Sequence, residues 1–377
     1  MDLLTFILFM IGFVLLISGA EFLVRGASSL AIAIGISPLV VGLTVVAFGT
    51  SAPELAVTIQ STYAGQADLA MGNVVGSNIA NILLVLGLAA MYGALLVNKQ
   101  LLRLELPLMV ALSGIVWLMG LDGRIGQVDG LILFVGAITY TTYVIRKSRK
   151  QVKADKAAAA QEADIPVSPA KDASHFIKQI GFILLGLVML VLGARWLIDG
   201  AVAVARMLGV SELVIGLTII AVGTSLPEIA TSIIASTQKK GDIAVGNAVG
   251  SNIFNILVVL GLGSAVSPSG IIVSPLALRS DIPIMIAVAI ICIPVFYTQY
   301  RIDRWEGSVL TLYYAAYTTY LFLSATANPA LTPFISIMTT LVLPITMLII
   351  LAAAIRYYLQ CRNSPPMLSK TAPPSQN

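Results

Sequence analysis

Residues 42–61 read GLTVVAFGTSAPELAVTIQS, and residues 216–236 read GLTIIAVGTSLPEIATSIIAS. Each stretch carries one glutamate, Glu54 or Glu228, about midway along an otherwise apolar segment. The rest of the chain is also apolar, since 58% of its 377 residues are hydrophobic and only 11% are charged. Soluble globular proteins have about 25% charged residues, so this composition excludes an ordinary soluble enzyme.

The apolar residues fall into runs of the length that a helix needs to cross roughly 30 Å of hydrocarbon. Every backbone amide in lipid must be paired within its own segment, and the runs lack the alternation of barrel strands, so we predict helices. The fold class is therefore all-α, a polytopic membrane protein in the lipid bilayer. The sequence has no basic patch interleaved with aromatic residues, so a nucleic-acid partner is not expected. The predicted spans lie near 3–24, 36–63, 69–97, 105–121, 129–145, 177–198, 210–236, 243–264, 282–298, 307–325 and 333–355.

The two glutamate stretches belong to an internal duplication. Residues 38–88 align without gaps to residues 212–262, with 29 identical pairs in 51 positions. An odd number of predicted helices separates a residue from its counterpart, so the two copies must cross the membrane in opposite directions. Inverted repeats of this kind are typical of secondary transporters, which bind substrate near the midplane between the repeats. We predict a ten-helix core of two inverted five-helix repeats, residues 1–146 and 177–325, joined by a linker over 147–176 and followed by an eleventh helix and a disordered tail over 326–377.

The orientation of the chain is predicted from its basic residues. With eleven spans and the N-terminus outside, eighteen of the 22 lysines and arginines fall on the inner side. Many of them lie in the run RKSRKQVKADK at residues 146–156. By the positive-inside rule we expect the N-terminus outside, and the linker and the C-terminus in the cytoplasm.

Glu54 and Glu228 need a compensating group, because a carboxylate in the middle of a membrane is costly and is by default functional. No lysine or arginine lies mid-span to pair with them, so either a bound cation compensates them or they are protonated. On a helix, positions i, i+3, i+4 and i+7 share one face. The residues on the face of each glutamate are Ala47, Thr50 and Ser51 in the first copy, and Ala221, Thr224 and Ser225 in the second.

A proline, Pro53 or Pro227, precedes each glutamate by one residue. A proline inside a helix leaves the carbonyl four residues earlier unpaired, so each helix should kink and turn carbonyl oxygens toward the centre. Carbonyl, hydroxyl and carboxylate oxygens are the ligands that hard cations such as Ca²⁺ prefer. The kinks and the glutamates together predict a cation site.

The helix after each glutamate carries GNVVGSNIAN from residue 72 or GNAVGSNIFN from residue 246. In each copy an Asn, a Ser and a second Asn are spaced by four residues and share one helical face. Asn78 and Asn252 lie off that face, and we predict a structural role for them. The residues expected to line the site are Ser77, Asn81, Ser251 and Asn255.

The motifs GTSAPE and GTSLPE, with GSNIAN and GSNIFN, resemble the two α-repeats of the cation/Ca²⁺ antiporter family, the Na⁺/Ca²⁺ exchangers of the bacterial type. The resemblance covers residues 3 to about 325 and is specific, because the motifs occur twice at one offset. It implies that Glu54 and Glu228, with the carbonyls of Thr50 and Thr224, bind Ca²⁺. It further implies Na⁺ sites at Ala47, Ser51 and Ser77 in one half and at Ala221, Ser225 and Ser251 in the other, and a central position completed by Asn81 and Asn255.

The same resemblance implies an integral protein of the bacterial inner membrane whose two N-terminal helices, near 3–24 and 177–198, slide as a gating pair. Several relatives carry Asp at one of the central positions, whereas Asn81 and Asn255 are both uncharged here. The two glutamates are then the only formal charges of the site. This argues against a K⁺-dependent variant and leaves open whether the central position holds an ion or water.

The expected function is secondary antiport of Ca²⁺ against Na⁺ by alternating access, with these ions as cargo and no cofactor. Coupling to H⁺ is the nearest alternative, because a pair of glutamates can also carry protons. A cation channel with the same ligands is a second alternative. An enzyme is not expected, since an intramembrane hydrolase would need a catalytic set of side chains beside the glutamates. The sequence alone gives neither the stoichiometry nor the oligomeric state.

Overall fold

The long apolar runs of the first half form helices, as expected for segments whose backbone amides must be paired internally. The computed structural model describes residues 3–163, 173–297, 300–349, 352 and 355. The helices of the first half are α1 (Leu3–Ile34), α2 (Pro38–Thr50), α3 (Ala52–Tyr63), α4 (Ala67–Tyr92), α5 (Leu101–Asp122) and α6 (Gln127–Ala163).

The second half repeats this order and opens with α7 (Ala173–Met207). Its counterpart of α2 consists of three abutting segments, Glu212–Ile215, Gly216–Ile220 and Ala221–Gly223, which together are called α8. The helices that follow are α9 (Leu226–Thr237), α10 (Gly241–Val266), α11 (Ala277–Tyr297), α12 (Arg304–Ala325) and α13 (Leu331–Ile349).

Among the described residues, eight helices are long and apolar enough to cross a membrane, and the bent pair α2 and α3 makes a ninth candidate. The pair α8 and α9 is not among these candidates, and neither is α12, which is rich in tyrosine and threonine. The all-helical membrane architecture is confirmed. The number of eleven spans stays a prediction.

Two short antiparallel ribbons connect distant parts of the chain. The strand β1 (Leu95–Leu96) pairs with β4 (Arg301–Ile302), and β2 (Arg124–Ile125) pairs with β3 (Ile271–Ile272). Each ribbon therefore joins a loop of the first half to a loop of the second half.

The ribbons distinguish the two ends of the helix bundle. The β1–β4 ribbon lies beside the start of α10, because a Cβ added to Gly241 would lie 3.4 Å from the nitrogen of Leu96. The end where α2 and α10 begin is called the α2 face. The opposite end, where α4 and α8 begin, is called the α8 face.

The centre of the bundle is formed by α4 and α10, the helices that carry the GSN motifs. The most apolar stretch of α10 is fully buried and that of α4 is 78% buried, against 22% for α1. The side-chain amides of Asn78 and Asn252 each donate to the backbone carbonyl of the other, at 3.4 and 3.2 Å. These cross-links fit the structural role predicted for the two residues.

The helices α1 and α7 pack against each other through glycines. A Cβ added to Gly12 would lie 3.0 Å from the carbonyl oxygen of Gly193, and one added to Gly19 would lie 2.9 Å from that of Gly186. Small residues allow membrane helices to approach this closely. Because Gly186 and Gly193 are the counterparts of Gly12 and Gly19 in the duplication, both halves use the same glycines for the contact.

The basic segment after the fifth predicted span is helical where the structure describes it. Helix α6 continues to Ala163, so much of the linker predicted over 147–176 extends the helix. Lys, Ala, Gln and Glu dominate this segment and are good helix formers, which the linker assignment did not take into account. Residues 164–172 of the predicted linker, and the predicted tail from residue 356, lie outside the described residues.

Helix α13, which overlaps the predicted eleventh span at 333–355, lies on the outside of the bundle. It contacts α12 through the hydroxyl of Tyr313, which donates to the Thr346 hydroxyl at 2.6 Å. None of its most apolar stretch is buried. A cavity of about 390 Å³ with mostly apolar walls lies between α11, α12 and α13.

Candidate cation site between the two halves

The predicted bend in the first glutamate helix is present, and it lies at Ser51. Helix α2 ends at Thr50 and α3 begins at Ala52, with an angle of 43° between them. Pro53 therefore occupies one of the first two positions of α3, where its missing amide would have had no intrahelical partner. In the second half α9 begins at Leu226 in the same way.

Glu54 and Glu228 lie in the first turns of α3 and α9, and each is 1% exposed. The Glu228 carboxyl group contacts the first half at the bend, because Ser51 of the first half donates to its Oε1 at 3.4 Å. Oε2 of Glu228 and both carboxyl oxygens of Glu54 have no hydrogen-bond partner among the described residues. No salt bridge of the described residues involves either group.

A buried carboxylate without a partner is strongly unfavourable, because its desolvation is not repaid. Two of them in one place require a positive charge from outside the chain, or protons. Among the described residues there is no cluster of three or more His, Cys, Asp or Glu side chains. The oxygens available beside the two carboxylates are therefore those of hydroxyls, amides and the backbone, which suits a hard cation.

The predicted hydroxyl residues other than Thr224 are buried, namely Thr50, Ser51, Ser77, Ser225 and Ser251. Thr50 and Ser251 lie together, with 3.5 Å between their hydroxyl oxygens. Ser77 is buried beside the Glu54 carboxyl group, although no hydrogen bond joins them. The Ser225 hydroxyl is fully buried and has no hydrogen-bond partner among the described residues.

Asn81 and Asn255 are also buried, and each begins a π-helical segment. The side-chain amide of Asn81 has no hydrogen-bond partner at either end within the described residues. Asn255 donates to Oδ1 of Asn78 at 3.1 Å and leaves its own oxygen unpaired. Single π-helical turns are frequent at functional sites, because they rotate the residues that follow relative to a regular helix.

The second half does not enclose its predicted residues as the first half does. Ala47 is fully buried and Thr50 is 1% exposed, whereas their counterparts Ala221 and Thr224 are exposed and half-buried, respectively. The structure thus joins the predicted residues of the two halves through the contacts of Thr50 with Ser251 and of Ser51 with Glu228, whereas Ala221 and Thr224 are more accessible than their counterparts.

Asn73 and Asn247 are missing from the predicted ligand set, but each forms hydrogen bonds to its glutamate helix. The Asn73 amide donates to the carbonyl of Glu54 and to the Thr58 hydroxyl, both at 2.9 Å. The sequence could have indicated this role, because an asparagine stands one turn before the serine in both copies, Ser77 and Ser251.

Another feature missed by the sequence analysis is a third buried acid, Glu105, which the predicted spans place at the end of a helix. It is 0% exposed and accepts a hydrogen bond from Gln100 at 2.8 Å.

Broken helices that bring unpaired carboxylates together inside a bundle of apolar helices define a membrane transport protein. The chain belongs to the family described as sodium/calcium exchanger protein, whose profile matches residues 4–146 and 178–323. The family expected from the repeated motifs is thereby confirmed. It is a family of transporters and not of enzymes. Helix α13 lies beyond the matched region.

Individual relatives agree with the family. The chain is 39% identical over 266 residues to the inner membrane protein YrbG of Escherichia coli (strain K12), covering 70% of this chain and 79% of YrbG. It is 33% identical over 322 residues to the sodium/calcium exchanger MaX1 of Methanosarcina acetivorans, covering 78% of this chain and 91% of MaX1. The solved sodium-calcium exchanger NCX_Mj superposes with a TM-score of 0.71 at 28% identity, covering 84% of this chain and 97% of NCX_Mj.

Proposed function

We infer that the chain is a secondary antiporter that exchanges Ca²⁺ for Na⁺ across a membrane by alternating access. The observation that carries this inference is the pair of buried carboxyl groups of Glu54 and Glu228, which have no basic partner among the described residues. The choice of ions is supported by the family and by MaX1 and NCX_Mj, both of which are named as sodium/calcium exchangers.

The charge of the site gives a physical reason for exchange. Two carboxylates hold at most two negative charges, which one Ca²⁺ neutralises and which Na⁺ ions can neutralise in its place. The two occupancies compete for the same oxygens. An empty site would leave both charges desolvated during the conformational change, and this should oppose the return of the transporter without cargo.

The proposed ligands are those that the likeness to the exchanger family implies. Glu54 and Glu228 would hold Ca²⁺ together with the backbone carbonyls of Thr50 and Thr224. The unpaired oxygens of Ser225 and Asn255 support a part in cation binding. The proposed Na⁺ ligands are those of Ala47, Ser51, Ser77, Ala221, Ser225 and Ser251, with Asn81 and Asn255 at the central position.

We also propose that the protein lies in a bacterial inner membrane with its N-terminus outside. The likeness to the inner membrane protein YrbG supports the compartment. The excess of basic residues on one side supports a cytoplasmic α2 face and a cytoplasmic C-terminus.

The test is uptake of ⁴⁵Ca²⁺ into Na⁺-loaded proteoliposomes. We expect that Glu54→Gln or Glu228→Gln abolishes uptake, because a neutral amide removes one of the two charges that a divalent cation needs. Glu105→Gln is the matched control, since it removes a buried carboxyl group outside the site and should retain uptake. Near-normal exchange by either site variant would refute the assignment.

The coupling ion is tested with the same vesicles. Gradients of Na⁺, K⁺ and H⁺ are imposed one at a time, and we expect Ca²⁺ uptake with the Na⁺ gradient alone. Uptake driven by the pH gradient would instead identify a Ca²⁺/H⁺ exchanger. Currents that persist without a counter-ion would indicate a channel.

A further inference from the structure

Asn73 and Asn247 hold the two glutamate helices in the same way. Each side-chain amide donates to the backbone carbonyl of its glutamate, at 2.9 Å for Glu54 and 3.4 Å for Glu228. Each also donates to a hydroxyl one turn further on, Thr58 at 2.9 Å or Ser232 at 3.0 Å. Both amide hydrogens are thus used, which fixes the orientation of the amide and leaves Oδ1 as an acceptor.

Among the described residues, only one of the two amide oxygens, that of Asn247, accepts a hydrogen bond. The Thr50 hydroxyl donates to Oδ1 of Asn247 at 3.1 Å, and its other neighbours, the Ala47 carbonyl and the Ser251 hydroxyl, lie at 3.4 and 3.5 Å. Within the described residues, no hydrogen bond joins the equivalent pair, Thr224 and Asn73. The bond between Thr50 and Asn247 therefore links the halves on one side of the site only.

A second contact is also formed by the first half and lacks its equivalent in the second half, among the described residues. Ser51 of the first half donates to Glu228 of the second half. In the equivalent pair, the Ser225 hydroxyl and both carboxyl oxygens of Glu54 lack hydrogen-bond partners among the described residues. In the part of the chain that the structure describes, the hydrogen bonds made by Thr50 and Ser51 therefore have no counterpart at Thr224 and Ser225.

Helix packing shows the same asymmetry at a larger scale. At the α2 face, a Cβ added to Gly42 would lie 2.9 Å from the carbonyl oxygen of Ile243, so α2 and α10 are in backbone contact. Gly246 of α10 belongs to the same contact. At the α8 face, the counterparts of Gly42 and Gly246 are Gly216 and Gly72, and a Cβ added to either would have no heavy atom within 4 Å. The α2 face is thus closed in the same structure in which Thr50 and Ser51 form their hydrogen bonds to the second half.

We propose that Asn73 and Asn247 are positioning residues that form two alternating latches. The bond from Thr50 to Asn247 holds the α2 face closed in the structure described, and a bond from Thr224 to Asn73 replaces it when the α8 face closes. Each asparagine keeps its glutamate in place throughout, because the amide hydrogens stay on the glutamate carbonyl. The exchange of latches rests on the proposed alternating access.

The latches are tested by the accessibility of single cysteines, which needs no transport. In a background with Cys292→Ala and Cys361→Ala, Gly72→Cys reports on the α8 face and Ile243→Cys reports on the α2 face. Labelling by a hydrophilic methanethiosulfonate reagent is measured in detergent without Na⁺ or Ca²⁺, so that both faces meet the reagent. Thr50→Val and Thr224→Val remove one hydroxyl each and keep the shape of the side chain and the backbone carbonyl.

The two variants should shift labelling in opposite directions. Thr50→Val should raise labelling of the Ile243→Cys reporter and lower that of the Gly72→Cys reporter, and Thr224→Val should do the reverse. The expected change is on the order of two- to tenfold, as for the loss of one net hydrogen bond. Shifts of the same sign, or no shift at either reporter, would overturn the proposal.

Two further variants separate a latch from a general loss of structure. Thr50→Ser keeps the hydroxyl and should restore the original labelling rates. Thr44→Val is the matched control, because the buried Thr44 hydroxyl donates to the Val40 carbonyl of its own helix, at 2.6 Å, and makes no bond to the other half among the described residues. Its removal should change neither rate. A failure of Na⁺-driven uptake with opposite labelling shifts would refute the proposed ions while leaving the latches supported.

Discussion

At the α2 face Gly42 and Gly246 lie in backbone contact, whereas at the α8 face their counterparts Gly216 and Gly72 lie beside open space. The glycines are the same in both copies, so their presence alone does not explain the difference. It arises because each broken helix packs on the central helix of the other half, and only one of these contacts is closed. A duplicated sequence that packs in two ways at once is what a transporter needs to open one face at a time.

The most severe test of this difference is to fill the equivalent glycines. In Gly246→Leu the new side chain would begin 2.8 Å from the Leu39 carbonyl oxygen, and we expect a loss of about 3 kcal/mol in the free energy of unfolding. Gly72→Leu enters open space and should fold normally, but it should block closure of the α8 face and so abolish exchange.

Unfolding of the two glycine variants is followed by titration with a denaturing detergent, and exchange by ⁴⁵Ca²⁺ uptake. Equal destabilisation by both substitutions would show that the two faces are packed alike.

The asparagines provide the next test. Asn247→Ala removes donors to Glu228 and Ser232 and an acceptor for Thr50 in a fully buried place, so we expect a loss of about 2 kcal/mol. Asn73→Ala removes two bonds from a half-buried residue and should cost about half as much. The midpoint of thermal unfolding in detergent micelles compares the two variants. A larger loss for Asn73→Ala would contradict the assignment of the closed face.

The smallest expected effect separates the two serines. Ser51→Ala breaks the hydrogen bond to Glu228 and should lower stability by about 1 kcal/mol. Ser225→Ala removes a buried hydroxyl that has no partner among the described residues, so stability should be unchanged or slightly raised. If the serines are Na⁺ ligands, both variants should still raise the Na⁺ concentration needed for exchange. Equal stability losses would show that the serines have equivalent surroundings.

Much of the fold followed from periodicity and length. The apolar runs predicted helices, and the proline before each glutamate predicted the bend. The sequence analysis did not indicate that α6 continues past its apolar run to Ala163, because hydropathy detects the membrane and not the end of the helix. It also overlooked that Glu105 is buried, since its position at the end of an apolar run gave no sign of the neighbouring helices.

The candidate site was only partly predictable. The helical spacing selected Thr50, Ser51 and Glu54 as one set, since side chains three and four residues apart share a face. The spacing did not indicate that Asn247 would bond to Thr50 across the interface between the halves. Such a partner is almost 200 residues away in the chain, and no local pattern records it.

The sequence by itself determined that the protein is helical and lies in a membrane, that it has two related halves, and that Glu54 and Glu228 are its anomalous charges. These conclusions follow from composition, periodicity and repetition, which are local properties. Only the tertiary structure decided that the α2 face is the closed one, that Ser51 reaches Glu228, and that Asn73 and Asn247 support the glutamates. The repeated motif does not indicate which broken helix packs closely on the central helix of the other half, because this packing depends on contacts between elements far apart in the chain.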